Sequence, residues 1–259
     1  MRLAACYTVF NGLELLKQSI EQIKNHVDEI IICYQDISNK GNKCDKVHPF
    51  IMDFARNFKG KNIHIIYFKP DLPGNTKENE RKKHQKMLTT ARILGCTHFF
   101  MAATDHFYKE KEFVFGKNTC QVHNYDVTFT KMFTYYKYPT WQITPIEAYY
   151  MPFIMKINPD TKIESKINYP VVVDPSVKVS PMNNFYVFEE SDLMLHHYSM
   201  IRENISDKFK NAAASMRWTN GLSEKFENEF TNYDYESNPG IEYFQGRKIK
   251  IVEDYFKLS

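Results

Sequence analysis

The chain has 259 residues and a mass of 30.7 kDa, which allows one large α/β domain or two small ones. Apolar residues make up 43% and charged residues 25%, a balance that excludes a disordered chain. The formal net charge is only +3, and Lys and Arg are spread along the whole chain. This distribution argues against a nucleic-acid partner.

The five cysteines show neither a CxxC motif nor a Cys/His zinc spacing. Such cysteines are typical of reduced thiols in a cytoplasmic protein. No signal-peptide pattern precedes the first strand pattern, and no apolar stretch approaches the ~20 residues that span a bilayer. We therefore expect a soluble protein in the cytoplasm of a bacterium, or of a host cell if the chain is viral, with at most peripheral membrane contact.

The first hundred residues alternate between strand and helix patterns. The predicted strands are 3–10, 29–34, 63–68 and 96–102, and the predicted helices are 13–25, 49–58 and 78–94. Residues 29–34 read EIIICY, an apolar run typical of a parallel strand that is buried on both faces. The alternation predicts an α/β fold with a Rossmann-like, mostly parallel sheet flanked by helices.

Two carboxylates follow strands of this predicted sheet. Asp36 follows the second strand and Asp105 the fourth, so both are expected at the carboxyl edge, where such sheets bind ligands. Only Asn11 and Gly12 follow the first strand, with no GxGxxG or Walker loop. The sequence therefore disfavours a dinucleotide dehydrogenase and a P-loop ATPase.

Beyond residue 110 the spacing is less regular. Strand-like segments are predicted at 125–133, 171–174, 184–188 and 193–198, and helices at 202–216 and 223–230. No linker, repeat or low-complexity segment separates the halves. We expect one domain, 1–259, with a shared core.

The stretch 78–108, ENERKKHQKMLTTARILGCTHFFMAATDHFY, carries a family resemblance. It resembles the donor-binding core of bacterial and viral family 2-like glycosyltransferases with the A-type fold. The resemblance extends to ACYTVFNG, EIIICYQDISNKG, YYKYPTW, PIEAYYMPFIMKI, YPVVVDP and MLHHYSMIRENISDKFKN, and so spans residues 3 to about 211. It implies transfer of a sugar from a UDP or dTDP donor to a glycan or glycoconjugate acceptor, with inversion, as in polysaccharide biosynthesis. Residues 1–110 would form the donor half, and 111–259 the acceptor half with C-terminal helices.

In the family, the last Asp of an Asp-x-Asp signature binds a divalent cation that bridges the donor phosphates. Asp105 holds that position, Ala103 replaces the first Asp, and His106 stands where the family often has Glu. The resemblance implies a second ligand from His196 or His197, of which only one can face the site because adjacent strand residues point to opposite faces. His197 is the preferred ligand. Mn²⁺ or Mg²⁺ is expected, since the departing diphosphate builds negative charge.

The resemblance also implies how the donor is held. The strand end at 7–10 would cradle the base, and residues 35–36 would accept hydrogen bonds from base or ribose. Lys83 would point at the nucleotide, while Arg202 and Lys208 would clamp the pyrophosphate beyond the cation. The donor-binding set is Tyr7, Thr8, Phe10, Gln35, Asp36, Lys83, Thr104, Arg202 and Lys208.

An inverting transferase needs a general base for the acceptor hydroxyl. Glu147 and Asp174 both lie in the expected acceptor half, and the sequence does not choose between them. Trp141, Tyr149 and Tyr150 are candidates for a surface on which an acceptor sugar stacks.

Two other functions remain open. A nucleotidyltransferase shares the Rossmann-like half and an acidic metal site, although it normally carries a glycine-rich loop after the first strand. A catalytically inactive sugar- or nucleotide-binding module is favoured by Ala103, which removes the first acid of the signature.

Overall fold

A computed structural model describes residues 1–72, 75–212 and 218–259. The strands are β1 (Leu3–Val9), β2 (Glu29–Tyr34), β3 (Ile63–Tyr67), β4 (His98–Ala103), β5 (His106–Phe107), β6 (Val127–Tyr136), β7 (Trp141–Thr144), β8 (Tyr150–Lys156), β9 (Lys162–Ile163), β10 (Val179–Ser180), β11 (Phe185–Val187), β12 (Met194–Met200) and β13 (Lys248–Ile251). The helices are α1 (Leu16–Ile23), α2 (Val47–Asn57), α3 (Thr76–Ile93), α4 (Glu110–His123), α5 (Ile205–Asn211) and α6 (Leu222–Asn232). None of these helices has the length and apolar character needed to cross a membrane.

One sheet runs through both halves of the chain. Its first part is parallel, in the order β3-β2-β1-β4. Strand β8 then pairs antiparallel with β4, and β6 antiparallel with β8, so that β6 again runs parallel to β4. Strands β11 and β12 join β6 in parallel. The predicted fold class, a Rossmann-like sheet flanked by helices, is confirmed.

The alternation of side chains on β1 explains why helices cover both faces of the sheet. Leu3, Ala5 and Tyr7 pack with apolar residues of α1 and α2, whereas Ala4 and Cys6 pack with those of α3. All six residues of β2 are buried. Each fully buried Ile or Leu contributes about 1.5–3 kcal/mol, so an apolar run of this kind is stable only between two helical layers.

The second half differs from the sequence-based expectation in several elements. Helix α4 and strands β7, β8 and β13 were not predicted. Gly116 lies inside α4 and weakens the helical pattern of the sequence there. Packing nevertheless requires a glycine, because a Cβ at this position would lie 2.7 Å from the Phe153 ring. The strand expected at 171–174 is absent, since Asp174 instead caps a 3₁₀ turn at Pro175–Val177.

The helix predicted at 202–216 is shorter in the structure. It begins after Asn204, whose side chain accepts a hydrogen bond from the Asp207 amide, and α5 ends at Asn211. Residues 213–216 of that prediction lie outside the described residues.

Candidate functional site

The carboxyl ends of β1, β2 and β4 meet at one edge of the sheet, where a cleft of about 290 Å³ opens. We call it the first cleft. It is lined by Thr8, Val9, Phe10, Asn11, Gln35, Ser38, Asn39, Glu80, Lys83, Ala103, Thr104, Asp105, His197, Arg202, Lys208, Asn211 and Ala212. Both halves of the chain therefore contribute to it.

Asp105 is the most deeply placed carboxylate of the first cleft, with 3% of its surface exposed. Its Oδ2 accepts a hydrogen bond of 2.5 Å from Nη2 of Arg202. Burial by itself would raise the pKa of Asp105, but the positive charge of Arg202 outweighs it and holds that pKa well below its usual range. The carboxylate is thus ionised. Arg202, expected beyond a cation, instead contacts Asp105 directly.

The other oxygen of Asp105 faces two imidazoles. Oδ1 lies 3.9 Å from Nε2 of His197 and 4.0 Å from Nε2 of His106, and it has no hydrogen-bond partner within the described residues. Burial lowers the pKa of both histidines, so both rings are neutral at pH 7. An unpaired buried carboxylate oxygen beside two neutral imidazoles has the donor atoms that a divalent cation needs.

Strand pairing places these two histidines side by side. In the antiparallel pair of β5 and β12, His106 lies directly opposite His197, and their rings meet edge to face at 5.2 Å. The amide of Tyr198 donates to the Asp105 carbonyl at 2.9 Å. This hydrogen bond holds the turn between β4 and β5, which contains Asp105, against β12.

The structure corrects the candidate ligand His196. As the two-residue period of a strand requires, it points away from Asp105 when His197 points toward it. His196 is fully buried, with Nδ1 2.7 Å from the Tyr135 hydroxyl. His106 takes its place in the cluster. Sequence reasoning missed it, and its position next to Asp105 was the available signal.

Two lysines add positive charge to the first cleft. Lys83 donates to Glu80 at 2.7 Å and is therefore already paired. Lys208 makes no ion pair with any residue of the described ranges. Burial, and then the charge of Arg202, lower the pKa of Lys208 to about 8. It is half-buried and lines the first cleft, so it is well placed to take an anionic ligand.

The remaining donor candidates divide into two groups. Two of them do not line the first cleft: Tyr7 turns its hydroxyl to the Ser19 carbonyl beneath α1, 3.1 Å away, and Asp36 accepts from the Tyr67 hydroxyl at 2.8 Å. Those that do line it are Thr8, Phe10, Gln35, Lys83, Thr104, Arg202 and Lys208. The side-chain alternation of β1 explains Tyr7, since its face of the strand packs on α1.

Gln35 lines the first cleft and carries an unsatisfied acceptor. Its Nε2 donates to the Ile37 carbonyl at 2.8 Å, an orientation assigned from that bond. Its Oε1 is buried without a partner among the described residues. A ligand N–H group at this position would satisfy it.

A second cleft of about 440 Å³ adjoins the first and shares His197 and Lys208 with it. Its other lining residues are Met132, Thr134, Glu147, Tyr149, Met151, Ser199, Trp218, Phe226, Tyr243 and Phe244. Glu147 is its only acidic lining residue within the described ranges, and it accepts a hydrogen bond of 2.9 Å from Thr134.

Three sequence candidates lie elsewhere. Asp174 lines neither cleft, and its Oδ1 accepts hydrogen bonds from the amide and the hydroxyl of Ser176. Trp141 stacks on Tyr235, and Tyr150 lies under the Lys131 ammonium. The aromatic side chains that line the second cleft are instead Tyr149 and residues from the C-terminal part of the chain. No local sequence pattern indicates that this part of the chain packs beside β6.

Comparisons with known proteins gave matches to solved structures at low sequence identity. No protein-family model matches the chain, and no curated protein sequence does. The crystal structure of S. aureus TarS 1–349 superposes with a TM-score of 0.49 at 10% identity, covering 90% of this chain and 71% of that one. The corresponding complex with UDP-GlcNAc gives 0.48 at 11% identity, over 90% and 72% of the two chains.

Proposed function

We propose that this chain is a glycosyltransferase that binds a nucleoside-diphosphate sugar in the first cleft with the help of a divalent cation. The observation that carries the proposal is the surrounding of Asp105: one oxygen faces two neutral imidazoles, and cationic Arg202 and Lys208 line the same cleft. Departure of a nucleoside diphosphate builds negative charge, which such a site is suited to stabilise.

The residues present fit a cation. The unpaired Oδ1 of Asp105 and Nε2 of His197, which lie 3.9 Å apart, would hold it. A bound cation would neutralise charge on the leaving diphosphate. Arg202 and Lys208 would contact the remaining phosphate oxygens, since guanidinium and ammonium groups bind phosphate well.

The base of the donor is proposed to be uracil or thymine. Gln35 supports this, because it lines the first cleft and its amide group can pair with the ring N–H and carbonyl groups that both bases carry. Thr8 and Phe10, at the end of β1, line the same part of the chain's first cleft and would flank the base.

The second cleft is proposed to hold the acceptor, a sugar of a glycan or glycoconjugate. It meets the first cleft at His197 and Lys208, so that an acceptor hydroxyl there would face the donor. Glu147 is the proposed general base. Tyr149 and the neighbouring aromatic rings would stack on a sugar ring. Because residues of both halves line the first cleft, residues 1–259 are proposed to act as one domain.

A thermal-shift panel tests the proposal. UDP or dTDP, with Mn²⁺, should raise the melting temperature more than ADP does, since a ligand that binds only the folded state stabilises it. Hydrolysis of the nucleotide-sugar should then be metal-dependent and absent in Asp105→Ala. Stabilisation by UDP and Mn²⁺ without any turnover would instead indicate the inactive binding module. Preference for ADP would contradict the assigned base.

A further inference from the structure

His106 follows Asp105 directly in the chain, and its imidazole lies beside the Asp105 carboxylate. Ala103, two residues earlier, offers no ligating atom. The His106 side chain is buried, its Nε2 lies 4.0 Å from Oδ1 of Asp105, and its Nδ1 has no hydrogen-bond partner among the described residues.

The position of His106 is held by its backbone. Its carbonyl accepts hydrogen bonds from the Ser19 hydroxyl at 2.8 Å and from the Gln22 amide group at 3.0 Å. Pairing with His197 across β5 and β12 fixes it from the other side. The ring is therefore aimed at Asp105 by contacts that do not depend on the ring itself.

The spacing of the three residues is close to that of a loaded site. Metal–ligand bonds of about 2.0–2.2 Å place the ligand atoms of a tetrahedral shell roughly 3.3–3.6 Å apart. The corresponding separations here are 3.9 Å and 4.0 Å to Oδ1 of Asp105. Side-chain shifts of about half an ångström would bring each imidazole to this separation from Oδ1 of Asp105.

We propose that His106 is a third protein ligand of the cation, and that two imidazoles with one carboxylate make the site prefer Co²⁺ or Zn²⁺ to Mg²⁺. The inference deepens the proposed function and rests on it. Imidazole nitrogen suits the later first-row ions, whereas Mg²⁺ favours carboxylate, carbonyl and water oxygens. His106 thus replaces the missing acid at Ala103 by a softer ligand.

The experiment is a titration of Co²⁺ and of Mg²⁺ into the full chain in the presence of UDP, followed by calorimetry and by the visible absorption of Co²⁺. Three variants are compared with the wild type. His106→Phe removes the ligand, and His106→Gln offers a neutral oxygen of similar reach. His123→Asn, on the exposed end of α4, removes a histidine far from the cleft and is the matched control.

We expect His106→Phe to weaken Co²⁺ binding by roughly tenfold or more and to change the Co²⁺ spectrum. His106→Gln should lower the ratio of Co²⁺ to Mg²⁺ affinity, and this ratio stays informative if the Phe variant folds poorly. His123→Asn should match the wild type. Wild-type Co²⁺ affinity and spectrum in both His106 variants would overturn the inference while leaving the proposed function standing. A wild-type chain that binds neither UDP nor metal would overturn both.

Discussion

The guanidinium of Arg202 lies against the backbone of Gly12, in the space that any larger residue would fill. A Cβ built on Gly12 would lie 1.0 Å from Nη1 of Arg202, and Gly12 has a φ of +68°, which favours glycine. The same guanidinium holds Oδ2 of Asp105. The turn after β1 and the carboxylate after β4 are therefore coupled through one side chain.

This contact predicts that Gly12→Ala displaces Arg202 from Asp105. UDP affinity should fall by roughly tenfold, because a charge-assisted contact contributes about 1.5–3 kcal/mol. Gly60→Ala is the control, since Gly60 also has a positive φ, +100°, but nothing lies within 4 Å of its added Cβ. It should cost about 1 kcal/mol of stability through backbone strain and leave UDP binding unchanged. Equal UDP affinities in the two variants would contradict the coupling.

Substitution of Asp105 should affect stability as well as turnover. Asp105→Asn is expected to abolish sugar transfer and to lower the free energy of unfolding by about 3 kcal/mol, because it leaves the buried Arg202 without its counter-charge. The double variant Asp105→Asn with Arg202→Gln should recover part of that loss. Chemical denaturation of the single and double variants measures the coupling, and strictly additive losses would argue against a buried ion pair.

Substitutions of the two candidate general bases, Glu147 and Asp174, are expected to have different effects on kcat. Glu147→Gln should reduce kcat by roughly 10²–10⁴-fold while UDP binding is retained, since general-base catalysis contributes that much. Asp174→Asn should keep kcat near the wild-type value and cost about 1 kcal/mol of stability at most, because Asp174 caps a turn. Steady-state kinetics beside UDP titration separate them. A large loss of kcat in Asp174→Asn alone would reverse the assignment.

Burial of His98 is expected to make the stability of the fold decrease at acidic pH. Burial lowers the pKa of His98 in the folded protein to about 4, with a smaller contribution from the charge of Lys156. The unfolded chain, with an ordinary pKa near 6.5, binds more protons between these values, so stability is full above about pH 6.5 and is lost as the pH falls toward 4. The loss is at most about 3 kcal/mol. His98→Gln should flatten the unfolding free energy across this window, measured by denaturation at several pH values.

Much of the fold of residues 1–110 follows from local sequence pattern. The run EIIICY predicted β2 with the bounds that the structure has, because a strand covered on both faces must be continuously apolar. Asp105 was placed at the carboxyl edge by chain order alone, since parallel strands share that edge. In the second half, Gly116 in α4 and the short strands β7 and β8 show only weak local patterns of secondary structure. Their residues are determined by packing and pairing with residues that are distant in the sequence.

The amino-acid sequence by itself determined the alternating elements of the first half, the position of Asp105 at the carboxyl edge of the sheet, and that two adjacent strand histidines face opposite sides. Only the tertiary structure decided that His106 joins His197, that Arg202 contacts Asp105 directly, and that Glu147 lines a cleft while Asp174 caps a turn. The physical reason is one of range. Periodicity and capping act between neighbours in the chain, whereas a site is made by strand register and charge pairing between residues as far apart as Asp105 and Arg202.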